Sequence, residues 1–410
     1  MNKELQVSSE FDVLRGVIVH EPDIGIGYIT PAVAEQLLYD DIVFLPRMVK
    51  EHQVFTKAIR ALIGEELVYE IEDLLEEVLD QKTERKALLH DLQEIEEINL
   101  KELIDKQEMS SKELCRLLVS GLDKYGDLVL KPIPNMVFTR DLACVIKGHI
   151  LISKMKKSAR LRESYLIRSI VRSHPLMQSF KGKIIDLLKV KDESNQISIE
   201  GGDVMIVHSD YVLIGISERT SWDAFVLVKD YLIENNIVQN VVAVSLPTER
   251  YCMHLDTVFT VLGNKVCVGY SPLVFEPNSI LKVMKFTASS NATYPSLKEL
   301  MLEIYPNMEF VKCGGGIVPF DAREQWTDGA NLVAITNNVA FSYERNVHTL
   351  QAFERIGFNI IDAEVLLDLN ELEVKKVFQQ NSIIVIPSAE LSRARGGTHC
   401  MTLPIIRTMH

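Results

Sequence analysis

The chain has 410 residues, 47% of them hydrophobic, 25% charged and 7% aromatic. This composition excludes a disordered chain and a disulfide-stapled miniprotein. Acidic residues outnumber basic ones by 57 to 44, a formal charge of −13, which excludes the clustered basic surface that a nucleic-acid partner requires.

No run of about eighteen apolar residues occurs, so no membrane-spanning helix is expected. The N-terminus, MNKELQVSSEFDVLRG, is polar and acidic and is not expected to be a signal peptide. Cys115, Cys144, Cys252, Cys267, Cys313 and Cys400 are scattered without a CxxC pair. They fit a reducing cytoplasm and argue against structural zinc.

In chain order, the apolar run from Val13 to His20, bounded by Pro22, predicts a buried strand. Thr30-Pro31 is a helix start signal, and Val33, Leu37 and Leu38 follow at helical spacing, which predicts helix within 31–63. Residues 65–125 are rich in Leu, Glu and Lys, and their apolar positions recur every three or four residues. They predict an inserted helical bundle, with Ser110 or Ser111 capping one helix.

After Pro132 the texture changes to strands. Four segments share one design, beginning at Asp141, Asp203, Asp256 and Asp328: an Asp, an apolar run, a short polar turn and a second apolar run. Each predicts a hairpin whose first strand starts beside a carboxylate. The segments recur roughly every fifty to seventy residues, and one further step lands at Cys400, just before the run MTLPII. Helical stretches at 158–172, 221–234, 297–303 and 349–355 lie between them. The repeat predicts a circular array of ββαβ-like units.

Several of these entry points carry chemistry. His254 and Asp256, at i and i+2, share one face of an extended strand and can act as an acid/base unit or a cation clamp. In Glu200-Gly201-Gly202-Asp203 the glycines permit a positive φ or a close backbone approach that aims Glu200 inward. Asp141 either pairs with Arg140 or faces the axis to receive a cation. Cys400 sits in the loop RARGGTHCMT, where nearby Arg and His are expected to favour thiolate. Each feature alone has an ordinary structural explanation. Converging at one point of a repeat, they form a thiol, an imidazole and three carboxylates, a set that calls for a cation. A guanidinium, with five N–H donors, matches paired carboxylates.

The motifs PNMVFTRD (134–141), EGGD (200–203), GISERT (215–220), MHLDTVFT (253–260), REQWTDGAN (323–331) and RGGTHCMT (395–402) resemble, in order, those of the arginine deiminases. These are members of the pentein, or guanidine-modifying, superfamily. The resemblance implies that Cys400 is the nucleophile and His254 the general acid/base. It implies that Asp141 and Asp256 bind the guanidinium, and that Glu200 holds both His254 and the guanidinium. Asn135, Arg160, Arg219 and Arg395 match positions that serve the substrate's α-carboxylate end, with Arg162 the alternative to Arg160. Phe138 matches a residue that packs on the aliphatic stem. Two positions depart from the family pattern: Leu142 stands where Pro is usual, and Thr327 where Asn is usual.

The expected fold is therefore α/β, a pentein five-bladed propeller of ββαβ units. It forms a single catalytic domain over 1–410 with an inserted helical subdomain at 65–125. The expected reaction is hydrolysis of L-arginine to L-citrulline and ammonia through an S-alkylthiouronium on Cys400, in the cytoplasm, with no cofactor and no metal. The expected partners are L-arginine and water, not nucleic acid or a membrane, and a homo-oligomer is allowed. An amidinotransferase, another guanidine-modifying pentein or an inactive arginine-binding pentein are the alternatives.

Overall fold

The computed structural model describes residues 5–409 apart from 97, 193–195 and 278. Residues 1–4 of the polar N-terminus, and Glu97 of the helical stretch, lie outside the described residues.

Strand β1 (Val13–Val19) is buried along nearly its whole length, as its apolar run demands. The helix expected from residue 31 begins later. Residues 31–38 form turns, Leu38 takes a left-handed φ of 64°, and α1 runs over Leu45–Ile63 with Pro46 in its first turn. A proline fits a first turn because its missing N–H would be unpaired there anyway. Residues 38–44 are instead an extended strap.

The start of the expected bundle is not helical either. Glu65–Leu67 is one tight turn and β2 (Val68–Glu70) pairs parallel with β1. Helices α2 (Ile71–Leu79), α3 (Lys82–Gln93), α4 (Leu100–Gln107) and α5 (Ser111–Ser120) follow. Ser110 caps α5 through a reciprocal capping box with Glu113, and Gly121, at φ 81°, ends it. The apolar faces of these helices do not form a separate core. Leu74, Leu75, Leu114 and Leu118 belong to the same buried cluster as Ile150, Ile167 and Val204.

The four hairpins form at the expected places, each with a third strand parallel to its second. β3 (Ala143–Ile146) and β4 (His149–Ile152) are antiparallel. The chain returns through α6 (Leu161–Ser173) to β5 (Ile184–Asp186), parallel to β4. β6 (Val204–His208) and β7 (Tyr211–Ile216) pair likewise, with α7 (Trp222–Glu234) leading to β8 (Asn240–Ser245). β9 (Phe259–Val261) and β10 (Val266–Gly269) make the third hairpin. A longer excursion follows, with α8 (Ser271–Val274), β11 (Lys282–Phe286), β12 (Asn291–Tyr294) and α9 (Leu297–Ile304). β11 and β12 extend the β8 edge before β13 (Glu309–Lys312) lies parallel to β10.

After α10 (Phe320–Trp326), β14 (Val333–Thr336) and β15 (Val339–Tyr343) form the fourth hairpin. α11 (Val347–Arg355), β16 (Asn359–Asp362), α12 (Ala363–Leu367), α13 (Glu371–Val377) and β17 (Ser382–Ile386) follow, with β17 parallel to both β15 and β16. β18 (Leu403–Thr408) pairs antiparallel with β1, so the fifth unit is assembled from the two ends of the chain.

The architecture is thus a mixed α/β fold, with five separate sheets among the described residues, each containing an antiparallel pair with a parallel neighbour. Among the described residues, no helix is long and apolar enough to cross a membrane.

Candidate active site

The short turns before the hairpins touch one another, and this contact assembles the site. Asp141 ends the turn Thr139–Asp141, Glu200 precedes the turn Gly201–Asp203, and His254 precedes the turn Leu255–Thr257. Cys400 precedes β18. The Arg140 N–H donates to the Cys400 carbonyl at 3.0 Å, and the Leu255 N–H donates to Asp203 Oδ1 at 2.9 Å. The two glycines act through close approach, not through the positive φ that the sequence left open, since neither lies in the left-handed region. A Cβ on Gly202 would sit 2.8 Å from Asp141 Oδ1 and 2.9 Å from His254 Nδ1, and one on Gly201 would collide with the Arg140 carbonyl.

The five residues expected to carry chemistry are buried and close together. His254 Nε2 lies 2.9 Å from Glu200 Oε2, and its Nδ1 lies 3.7 Å from Asp141 Oδ1. Cys400 Sγ lies 3.5 Å from Asp256 Oδ2. Asp256 Oδ2 also contacts His399 Nδ1 at 2.9 Å. The Oδ1 atoms of Asp141 and Asp256 are both buried without a hydrogen-bond partner. Two buried carboxylate oxygens without a hydrogen bond are costly unless a ligand donates to them.

Burial lowers the His254 pKa, but the charge of Asp141, the hydrogen bond donated to Glu200 and the charge of Asp203 outweigh it and raise it to about 9. Burial raises Glu200, yet the His254 hydrogen bond and the Arg160 and Arg219 guanidinium groups hold it well below the usual carboxylate range. Burial pushes the Cys400 thiol well up, and Asp256, Asp141 and Asp328 push it further. The expectation that nearby Arg and His favour thiolate is therefore corrected. His399 points at Asp256 and Glu10, and Arg395 is turned away over the ring of Trp326, 3.4 Å from its centroid.

The carboxylate-end candidates also have defined places. Arg160, at the start of α6, donates from Nη1 to Asp141 Oδ2 at 2.7 Å and to Glu200 Oε2 at 3.3 Å. Its Nη2 donates to Glu163 Oε2 at 2.8 Å and to the Asn135 carbonyl at 3.3 Å. Arg162 points elsewhere, to Glu96 and the Leu118 and Lys131 carbonyls. Arg219 Nη1 is 3.7 Å from Glu200 Oε2, and its Nε is buried without a partner. Asn135 donates to the Leu37 carbonyl, just before the strap, at 2.7 Å. Phe138 packs against Gly396, where a Cβ would strike its ring. Asn135, Phe138, Asp141, Arg160, Arg219, His254, Arg395 and Cys400 line one pocket of about 20 Å³, room for about one water. Asp141, Glu200 and His254 converge closely enough to hold a metal ion, but the Arg160 guanidinium already supplies a cation to both carboxylates.

Other residues of the site escaped sequence reasoning. Asp40 of the strap takes Arg250 at 2.9 Å and Arg395 at 3.4 Å, tying residues 38–44 over the pocket. Glu10 holds Arg140 at 3.3 Å and contacts His399 at 3.4 Å behind Asp256. Nothing in the local sequence marks Glu10 or Asp40. Asn331 and His399 were inside quoted motifs, and their roles depend on contacts across the fold. The departures are accommodated. Leu142 is fully buried and its N–H donates to the Thr139 carbonyl, and Thr327 Oγ1 donates to Asn346 Oδ1 at 2.6 Å.

The fold is shared with guanidine-modifying enzymes of the pentein superfamily. The N-terminal domain of ArgZ, an arginine dihydrolase from cyanobacteria, superposes with a TM-score of 0.54 at 15% identity, covering 97% of this chain and 98% of that one. The DDAH of Pseudomonas aeruginosa, solved with citrulline, gives 0.52 at 14% identity, covering 95% and 99%. Residues 89–407 match the family model described as arginine deiminase. The arginine deiminase of Listeria monocytogenes serovar 1/2a is 32% identical over 435 positions, covering 99% of this chain and 98% of that one. That of Bacillus cereus ATCC 10987 is 31% identical over 441 positions, covering 99% of each. The chain belongs to the arginine deiminase family.

Proposed function

We propose that this chain hydrolyses free L-arginine to L-citrulline and ammonia, with Cys400 as nucleophile. The observation that carries the reading is a pair of buried oxygens without a hydrogen bond, Asp141 Oδ1 and Asp256 Oδ1, in a site where the other Asp256 oxygen lies 3.5 Å from Cys400 Sγ. A bound guanidinium donates to both and cancels the field that holds the thiol protonated. As it binds, the thiol proton passes to solvent water, and the thiolate attacks the guanidinium carbon. His254, charged at neutral pH because its pKa is about 9, gives its proton to the departing nitrogen, and ammonia leaves. The S-alkylthiouronium remains on Cys400. The neutral His254 takes a proton from water, the hydroxide adds to the same carbon, and collapse expels the Cys400 thiolate, which takes up the hydroxyl proton as the citrulline carbonyl forms.

Glu200 holds the His254 ring, and Asp141 and Asp256 stabilise the cationic intermediates. Arg160, Arg219, Arg395 and Asn135 serve the α-carboxylate end, and Phe138 packs on the stem. Arg160 already donates to four residues within the chain, so it reads a substrate carboxylate only by releasing one of them. A pocket of about 20 Å³ admits arginine only if the Arg160 turn or the 38–44 strap shifts. In the same reading the five sheets are the blades of a pentein propeller in one domain over 1–410. Helices α2–α5 are then an inserted subdomain within 65–125, sharing the core of the first and second units.

Citrulline and ammonia formation from L-arginine tests the reaction, with agmatine as the control that lacks the carboxylate. The expected result is equimolar citrulline and ammonia, and a kcat/KM for agmatine lower by about a thousandfold or more. Ornithine appearing with an acceptor amine, in place of citrulline, would overturn hydrolysis. Comparable rates with agmatine would overturn the assignment of the arginines.

A further inference from the structure

Few groups around Cys400 favour a thiolate, and a backbone hydrogen bond with Gly397 is one of them. Burial and three carboxylates oppose a thiolate there. His254 is held on Glu200, His399 on Asp256, and Arg395 over Trp326. Among the described residues, the side chains within hydrogen-bonding distance of Sγ are Asp256, which accepts, and Asn331, whose Nδ2 donates at 3.1 Å.

The orientation of the Asn331 amide is fixed by its surroundings. Its Oδ1 accepts the His399 N–H at 3.0 Å and the Cys400 N–H at 3.2 Å. Its Nδ2 also donates to the Asp256 carbonyl at 3.0 Å. A flipped amide would set donors against two N–H groups and an oxygen against a carbonyl and the sulfur. The loops are built to hold this pose. Asn331 is 1% exposed and follows a turn in which Asp328 takes a φ of 63°. Its carbonyl accepts from Thr398 Oγ1 at 3.3 Å. Gly397 lacks the Cβ that would strike Asn331 Oδ1.

On the reading of Cys400 as nucleophile, we infer that Asn331 is a further catalytic residue: its amide N–H holds the Cys400 sulfur as thiolate while the same side chain fixes the Cys400 backbone. No proton leaves the amide. An amide has no charge to lose between acid and alkaline pH, so its donation persists where an imidazole's would not. The hydrogen bond strengthens as charge gathers on sulfur. It therefore favours both generation of the nucleophile and its expulsion from the second tetrahedral intermediate.

Two variants and one chemical probe test this. Asn331→Leu removes donor and acceptors, whereas Asn331→Asp keeps the shape and the two acceptor contacts but loses the donor. The rate of Cys400 alkylation by iodoacetamide is followed against pH, with mass spectrometry assigning the site. All six cysteines are buried, so the site assignment, not burial, isolates the Cys400 rate. Alkylation near neutral pH is expected to slow about ten- to a hundredfold in both variants, with the profile displaced to higher pH. The kcat for arginine should fall by a similar factor with KM within about threefold of wild type. A purely structural role would lower the unfolding midpoint and raise KM without displacing the alkylation profile. An alkylation profile and kcat within about threefold of wild type in Asn331→Asp would overturn the inference. If complete alkylation of Cys400 left wild-type turnover intact, the reading of Cys400 itself would fail instead.

Discussion

Asp256 performs two tasks that a single substitution separates in opposite directions. Its Oδ2 accepts from His399 and lies 3.5 Å from Cys400 Sγ, and its Oδ1 is unpaired. In the Asp256→Asn variant the amide oxygen still accepts from His399, but the charge is gone. Two negative charges 3.5 Å apart repel by about 5 kcal/mol at an effective dielectric of about 20. Even a third of that energy favours the thiolate more than tenfold. Cys400 in Asp256→Asn is therefore expected to react with iodoacetamide at pH 7 at least tenfold faster than in wild type. Arginine turnover is expected to move the other way. Loss of one charged partner of a buried guanidinium costs about 2–5 kcal/mol, or about thirtyfold to several thousandfold in kcat/KM. The assays are alkylation without substrate and citrulline formation at sub-saturating arginine. If alkylation does not accelerate, or if kcat/KM stays within tenfold of wild type, the clamp reasoning fails.

Cys400→Ala is expected to abolish turnover by several orders of magnitude while arginine still binds, as calorimetry will show, because the clamp does not use the thiol. Gly202→Ala places a Cβ 2.8 Å from Asp141 Oδ1 and 2.9 Å from His254 Nδ1. It should cut kcat at least about tenfold with an unchanged circular dichroism spectrum, since one methyl must displace both groups. The folded-state pKa of His254 is raised to about 9. Its protonation therefore contributes stability that is full below the unfolded value near pH 6.5 and is lost as pH rises through about 9. The contribution is up to about 3 kcal/mol, so the gap in unfolding free energy between wild type and His254→Gln should shrink by about that amount between pH 6 and 10. A gap independent of pH would refute the charge assignment.

Much of the fold was written in local pattern. The apolar–turn–apolar segments became β3–β4, β6–β7, β9–β10 and β14–β15, because a continuous apolar run and a tight polar turn are properties of a few adjacent residues. The Ser110 cap and the helices between hairpins were legible for the same reason. The strap at 38–44 was not, because Val33, Leu37 and Leu38 mimic a helical face. Its path is instead held by ion pairs from Arg250 and Arg395 to Asp40, residues more than two hundred positions away. The helical stretch likewise gave no sign that its first residues would join β1 as a parallel strand.

For the site, the sequence alone determined which residue types recur at the hairpin entrances, and so named the thiol, the imidazole and the carboxylates. Only the tertiary structure decided their electrostatics. Proximity to Arg395 and His399 in the chain suggested a thiolate, yet both side chains turn to other partners and the field at Sγ is set by Asp256, Asp141 and Asp328. Charge interactions depend on distance through space and on burial, and neither is encoded in separation along the chain. The donor that faces the sulfur, Asn331, comes from a turn 69 residues away, and Glu10 reaches His399 across 389. Contacts of that range exist only once the sheets have packed.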